Sequence, residues 1–364
     1  MDNRPSPAKI SRPKASDTVA RTRLFKLMDR ARRKPLIWIM GPPGSGKTML
    51  VADYLEHRRM TTLWYQADAG DADVATFFHY LGLAAKKAAP RHHRPLPACT
   101  PDRLADPDSY ARQLFTELFA RLKPPFAIVL DNYQDIPAGA KLHETVRVAL
   151  EMLPDGGHIV AMSRREPPAS LARVRLNDSM AIVDNSALRL TLEEAQGIAR
   201  HRLPDRRLRK HVAALHALTH GWAAGLVLML EQADGTVPVS AATTRAPDVL
   251  FEYFAAEVFD KTDPDTRAVL LQSVFLPNMT ARMVAALTGE RRAGRILNHL
   301  NRNNFFTHRY DLPEAVYQYH PLFHEFLRSR ALRLLAHDTL TSLRTRAAAL
   351  LEHSGADDAA LALY

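Results

Sequence analysis

The sequence predicts an α/β domain on a parallel sheet, followed by a helical domain and a winged-helix domain. Three observations carry that expectation. Short apolar runs alternate with helix-periodic stretches as far as residue 190. One glycine-rich segment, Gly41-Pro42-Pro43-Gly44-Ser45-Gly46-Lys47-Thr48, fits G-x-x-x-x-G-K-[ST], which makes the α/β domain a P-loop NTPase fold. Beyond residue 190 the pattern is nearly all helical until two alternating runs meet near residue 312, the order of a winged helix.

The P-loop pattern sits where its chemistry needs it. Leu36-Ile37-Trp38-Ile39-Met40 reads as a buried strand, and Lys47 to His57 as a helix with one apolar side. Glycines let backbone N–H groups turn inward around a phosphate, and the helix start adds partial positive charge. In that pattern the lysine reaches the β- and γ-phosphates and the hydroxyl ligates Mg²⁺, which points to Lys47 and Thr48.

Composition sets the bounds. With 364 residues the chain holds two or three domains. A 46% apolar and 24% charged share describes a chain that folds in water, and no apolar run reaches the length of a membrane span. The N-terminus lacks the apolar core of a signal peptide. The single cysteine, Cys99, leaves no internal disulfide framework and fits a reducing, cytoplasmic setting. Net charge is +10, which permits a nucleic-acid partner and equally describes a solvated, Arg-rich surface.

In chain order, residues 1–17 read as a flexible arm. A short helix from Thr18 leads to the P-loop strand. Thr61 to Tyr65 is a second strand, Asp68 to Asp73 an acidic loop, and Val74 to Leu83 a helix. Lys86 to Asp108, dense in Pro, His and Arg, reads as a surface loop; His92, His93 and Cys99 within it fit no zinc spacing. Tyr110 to Leu122 is helical. Phe126-Ala127-Ile128-Val129-Leu130-Asp131 is an apolar strand ending in an acid, the Walker B pattern, which would set a carboxylate beside the Mg²⁺.

Asn132 follows, where many ATPases carry a second acid that polarises water. An amide orients water but takes no proton, so hydrolysis should be slow or absent; Asp135 and Asp68 stand as alternatives for that role. The strand His158 to Met162 ends in Ser163-Arg164-Arg165. An Arg there can face a γ-phosphate and report it; a surface Arg before Pro167-Pro168 is the other reading. Met180 to Val183 closes the α/β domain of residues 18–190. Thr191 to Glu194 is a capping box that opens a small helical domain, residues 191–236. Residues 237–247 read as a linker, 248–337 as the winged-helix domain, and 338–364 as the start of a helical-repeat, TPR-like region.

Several strings occur together in one order: Ser11-Arg12-Pro13 with Val19-Ala20-Arg21, the P-loop, Trp64-Tyr65 with Asp68, Leu130-Asp131-Asn132-Tyr133-Gln134, Met162-Ser163-Arg164, Gly221-Trp222-Ala223-Ala224-Gly225-Leu226, and His320-Pro321-Leu322-Phe323-His324-Glu325-Phe326-Leu327. Over roughly residues 9–360 the chain resembles the STAND-class P-loop ATPases, closest to the bacterial MalT/LuxR-type transcriptional regulators. That resemblance implies ATP/ADP and Mg²⁺ as cofactors. It implies a closed off state holding ADP and an open, self-associating on state holding ATP, with slow hydrolysis. The nucleotide would be held by Gly41, Pro42, Pro43, Gly44, Ser45, Gly46, Lys47, Thr48 and Met49, with Arg12, Pro13, Val19 and Arg21 near the adenine. Thr48 and Asp131 would hold Mg²⁺. The catalytic set would be Lys47, Asp131, Asn132 and Arg164.

His320 matches a winged-helix histidine that touches the nucleotide's β-phosphate in the closed state. A purely local role at the helix start before Pro321 stands beside that reading. The family's usual second acid is Asn132 here. Its C-terminal DNA-binding helix-turn-helix is absent, so the chain is expected to be a fragment of a longer regulator that acts on DNA through a region missing here. The inducer is not legible, and no membrane partner is implied. A different reading is a DNA-binding winged-helix protein with an accessory nucleotide site, resting on Arg291, Arg292, Arg295, Arg302 and Arg309. A ring-forming mechanical ATPase ranks below both.

Overall fold

A computed structural model describes residues 8–13, 19–92, 94–202, 211–232, 248–311 and 314–363. The expected linker and His93 lie outside these residues. The chain divides into two compact units: Met1–Gly41 with Ser45–Leu188, and Pro42–Gly44 with Arg189–Tyr364.

In the first unit, β1 (Leu36–Met40), β2 (Thr61–Gln66), β3 (Phe126–Asp131), β4 (Gly157–Ser163) and β5 (Met180–Val183) form one sheet in the order β2-β3-β4-β1-β5. Every pairing is parallel, as the buried, nearly continuous apolar runs require. Successive side chains feed opposite faces. Ile37 and Ile39 join Val129, Val160 and Met162 under α1 (Thr22–Ala31) and α2 (Lys47–His57). Leu36 and Trp38 join Leu63, Tyr65, Ile128 and Leu130 under α3 (Val74–Ala88), α4 (Pro107–Phe119) and α5 (Leu142–Glu151). Each such side chain contributes about 1.5–3 kcal/mol on burial, and the two layers together hold the polar strand ends in place.

Two loop expectations change. The arm is not loose throughout: Ala8–Ile10 is a 3₁₀ turn and Ile10 is buried in the sheet's core. Lys9 Nζ lies 3.0 Å from the Asp71 carboxylate, and Asp71 is fully buried. The acidic stretch is likewise a capped turn, Ala69–Ala72, in which Asp68 accepts from the Gly70 N–H and Asp71 accepts from the Asp68 N–H. Within the expected surface loop, α3 continues to Ala88 and Pro101–Leu104 forms a helical turn.

The second unit contains α6 (Leu192–Arg202), α7 (Val212–Thr219), α8 (Ala223–Gln232) and α9 (Asp248–Phe254). There follow α10 (Pro264–Ser273), β6 (Met279–Thr280), α11 (Ala281–Thr288), α12 (Ala293–Arg302), β7 (Thr307–Asp311) and β8 (Ala315–Tyr319). The last two pair antiparallel as expected, and β6, too short to read from sequence, adds to β8. Three helices and this small sheet make the winged helix. Its core is aromatic: Phe254, Phe306 and Phe323 meet Trp222 and Tyr319. Three further helices follow, α13 (Pro321–Leu334), α14 (His337–His353) and α15 (Asp357–Leu361).

Candidate nucleotide-binding site

Strand order builds the site. Because β4 lies between β1 and β3, the carboxyl ends of three neighbouring strands deliver the P-loop, Arg164 and Asp131 to one edge. That edge is where open parallel sheets bind ligands. At the P-loop, Gly46 has φ +83 and stands before the first residue of α2; a side chain would be strained in that left-handed conformation. Lys47 folds back so that Nζ donates to the Gly41 carbonyl at 2.8 Å and to Ser45 Oγ at 3.3 Å. Thr48 Oγ1 donates to the Asp131 carboxylate at 3.1 and 3.3 Å. Two hard oxygen donors therefore converge beside a phosphate-binding loop, which fits a small divalent cation such as Mg²⁺.

Burial penalises the charge on both ionisable groups of the site. Burial, and then the Arg164 charge, pull the Lys47 ammonium down to about 7. Burial pushes the Asp131 carboxyl up, against the Thr48 hydrogen bond, the Asn132 N–H and the Lys47 charge. Lys47 and Asp131 partly answer each other's charge.

Asn132 is in the left-handed region, with φ 57, and its backbone N–H donates to Asp131 Oδ1 at 2.9 Å. A conformation that Asn tolerates better than most residues turns the chain sharply after the Walker B strand. Sequence reading gave Gln134 no role, yet its Oε1 accepts the backbone N–H of Arg164 at 3.1 Å, fixing the start of the Arg164 loop. On the other side of that loop, Trp38 Nε1 donates to the Arg165 carbonyl at 3.0 Å. The signal was a polar residue directly after the Walker B turn. Asp68, an alternative water-polarising acid, is instead engaged by Lys9 and the Gly70 N–H. Asp135 lies in the turn Tyr133–Asp135, within the reach of Asp131's field.

Arg12 Nη2 is 3.3 Å from Glu56, and Arg21 Nη2 donates to the Leu188 carbonyl at 2.9 Å. Pro13 and Val19 are half-buried. Met49 lies in the first turn of α2, also half-buried.

Pro42–Gly44 count with the second unit. Trp222 Nε1 donates to the Pro43 carbonyl at 3.0 Å, and the Ala224 N–H donates to the Gly44 carbonyl at 2.9 Å. Gly44 has φ +69, and a Cβ there would fall 2.5 Å from the Ala224 methyl, so the position is closed to other residues. His320 precedes Pro321 at the start of α13 but makes no capping bond. Its Nε2–H instead donates to the Thr219 carbonyl at 3.2 Å, while Nδ1 is buried with no hydrogen-bond partner. His220 packs edge-on at 5.4 Å, and Arg189 Nη2 lies 3.2 Å from His308 Nε2. Burial, with the charges of His220 and His308, takes the His320 imidazole down to about 3.

On the winged helix, Arg292 is bonded to Asp265 at 2.6 Å and to Glu290 at 3.1 Å, and Arg309 to Asn298 at 3.1 Å. Arg291, Arg295 and Arg302 are exposed. Two carboxylates on Arg292 lower the basic character of this face.

Comparison with known proteins is consistent with this geometry. Residues 20–160 match the family of AAA ATPase domains, and residues 255–339 match the MalT winged helix domain. The HTH-type transcriptional regulator MalT of Cronobacter sakazakii is 32% identical over 332 residues, 89% of this chain and 36% of that protein. MalT of Vibrio campbellii is 29% identical, covering 88% of this chain and 36% of its own length. The chain thus spans about a third of the length of these curated relatives. Among solved structures, the Walker-type ATPase PABY2304 of Pyrococcus abyssi superposes with a TM-score of 0.61 at 14% identity, over 88% of this chain and 99% of that one, a likeness of fold. No helix among the described residues is long and apolar enough to cross a membrane.

Proposed function

The chain carries an AAA ATPase domain and a MalT winged helix domain, and from that premise we propose that it is the nucleotide switch of a transcriptional regulator. ADP holds a closed off state; ATP with Mg²⁺ favours an open state that self-associates. In the whole regulator, action on DNA falls to a region outside this chain, and the setting is cytoplasmic.

The observation that carries the reading is the convergence of Lys47, Thr48 and Asp131 at the carboxyl edge of the sheet, with the Thr48 hydroxyl bonded to the Asp131 carboxylate across the intervening β4. In this scheme the backbone of Gly41 to Thr48 and the first turn at Met49 cradle the phosphates, and Lys47 neutralises the β- and γ-oxygens. Thr48 and Asp131 hold Mg²⁺, which supplies charge neutralisation across the phosphates when bound. Arg164, held through its backbone by Gln134, reads the γ-phosphate. Arg12, Pro13, Val19 and Arg21 flank the base. His320 offers a buried, unpartnered nitrogen suited to the closed ADP form. Asn132 orients water without taking its proton, so turnover is slow and the nucleotide acts as a signal.

Calorimetry on Lys47→Ala tests the assignment. Removing the buried cation should weaken both ATP and ADP by about 100-fold, the equivalent of about 3 kcal/mol. Unchanged affinity would sink the reading. Single-turnover hydrolysis by the unaltered chain should run far below the ~10 s⁻¹ typical of enzymes; a rate near that figure would contradict the switch.

A further inference from the structure

A second cavity lies in the first unit, away from the P-loop and sharing no residue with it. It is a half-open cleft with a volume of about 850 Å³, lined by α3, α4 and the segment 94–99. That volume falls inside the roughly 300–1,000 Å³ range of small-molecule sites. The segment that walls it is tied down carbonyl by carbonyl. Arg121 Nη2 donates to the Pro95 carbonyl at 2.9 Å, the Tyr110 hydroxyl to Pro97 at 2.9 Å, and Arg103 to Ala98 at 3.3 Å. Pro95 and Pro97 add fixed φ angles and bring no N–H of their own that needs a partner. A Pro-rich strip held this way is a built wall.

The lining has two characters. Phe78, Tyr80, Leu83, Leu96, Tyr110 and Leu114 supply an apolar, largely aromatic floor. Lys86, Arg94 and Arg121 supply cationic groups, and His79 and His92 further ring nitrogens. Arg121 is partly answered by Glu117 at 3.3 Å. The one lining carboxylate, Asp73, already accepts from the Ala75 N–H at 3.0 Å and from the Thr76 hydroxyl at 3.3 Å. Aromatic side chains beside exposed cationic ones suit a flat ring bearing a negative group, whose charge Lys86 and Arg94 would answer.

We propose that this cavity is a binding site for a small aromatic anion, separate from the nucleotide site and independent of its assignment. Cys99, the chain's single cysteine, lines it and provides the readout. The probe pair is 1-naphthalenesulfonate and neutral 1-naphthol, tested on the full chain by the rate of Cys99 alkylation with iodoacetamide and by calorimetry. The sulfonate should bind about tenfold tighter than the naphthol, as one charge-assisted contact provides, and should slow alkylation about tenfold at saturation. The double variant Lys86→Glu, Arg94→Glu changes two exposed side chains. It should lose the preference for the anion while retaining the wild-type melting temperature and ATP affinity. Equal protection by both probes, protection by neither at millimolar concentration, or an unchanged preference in the folded double variant would overturn the proposal.

Discussion

Acidification of the second unit offers a quantitative test of where His320 sits. Its imidazole is buried against Trp222 and Phe306, donates Nε2–H to Thr219, and leaves Nδ1 with no partner. A proton taken up at Nδ1 would be a buried charge without an acceptor. The folded chain therefore holds this group at about 3, against 6.5 when the environment is lost. The sign follows from which state binds the proton first. Below the unfolded value the unfolded chain is protonated while the folded chain is not, so the stability contributed is complete above pH 6.5 and is lost as pH falls toward 3. At pH 5 about 1.5 pH units of that window have been crossed, a loss of about 2 kcal/mol. In a unit of this size that lowers the melting temperature by about 4–8 °C. The comparison is wild type against His320→Gln, melted at pH 7.5 and pH 5.0 and followed by circular dichroism. Glutamine keeps an N–H donor for Thr219 and cannot titrate. His220 and His308, whose imidazoles are also held down by burial, remain in both proteins. The variant should lose about 2 kcal/mol less on acidification than the wild type. An equal loss in the two proteins would refute the argument that His320 is the titrating group.

Two further outcomes are expected. Lys9→Ala should leave the fully buried Asp71 carboxylate without its cation and cost about 3 kcal/mol in urea unfolding; Asp71→Asn placed on that background should recover part of it, and an unchanged midpoint in the single variant would show that the Tyr65 hydroxyl and the Asp68 N–H, which both donate to the Asp71 carboxylate, suffice. Gln134→Ala should weaken ATP relative to ADP about tenfold by freeing the Arg164 backbone, with Gln134→Glu keeping the acceptor and the preference; a variant that weakens both nucleotides equally would deny Gln134 that role.

Local chemistry made much of this molecule legible. The run Leu36 to Met40, the glycines of the P-loop and the apolar strand ending in Asp131 each declare their structure within a dozen residues. What stayed hidden depends on partners far along the chain. Asp71 reads as one acid among several in a polar loop, because the lysine that allows its burial is 62 positions away. His320 reads as a helix-start residue before Pro321 or, by resemblance, as a nucleotide contact, and neither reading reveals the Thr219 carbonyl that takes its N–H, 101 positions away. The two-residue strand at Met279 carries no periodicity of its own and exists only because β8 offers an open edge. The cavity beside Cys99 was equally unreadable: a strip of prolines and basic residues looks like solvent-facing loop until Arg121, Tyr110 and Arg103 are seen to fasten it.

The third strand also acts as a ruler. All six of its residues are buried, and its register is pinned on both sides, with Tyr65 opposite Leu130 and Gln66 opposite Asp131 on one edge and Leu130 opposite Ala161 on the other. Side chains along it alternate between the two faces of the sheet, so the fate of the carboxylate is decided by parity. Delete one residue upstream, and the chain would arrive at the same edge half a period out of step, with Asp131 sent to the opposite face. Chemistry at the rim thus depends on a count kept in the apolar interior, by residues that never meet a phosphate.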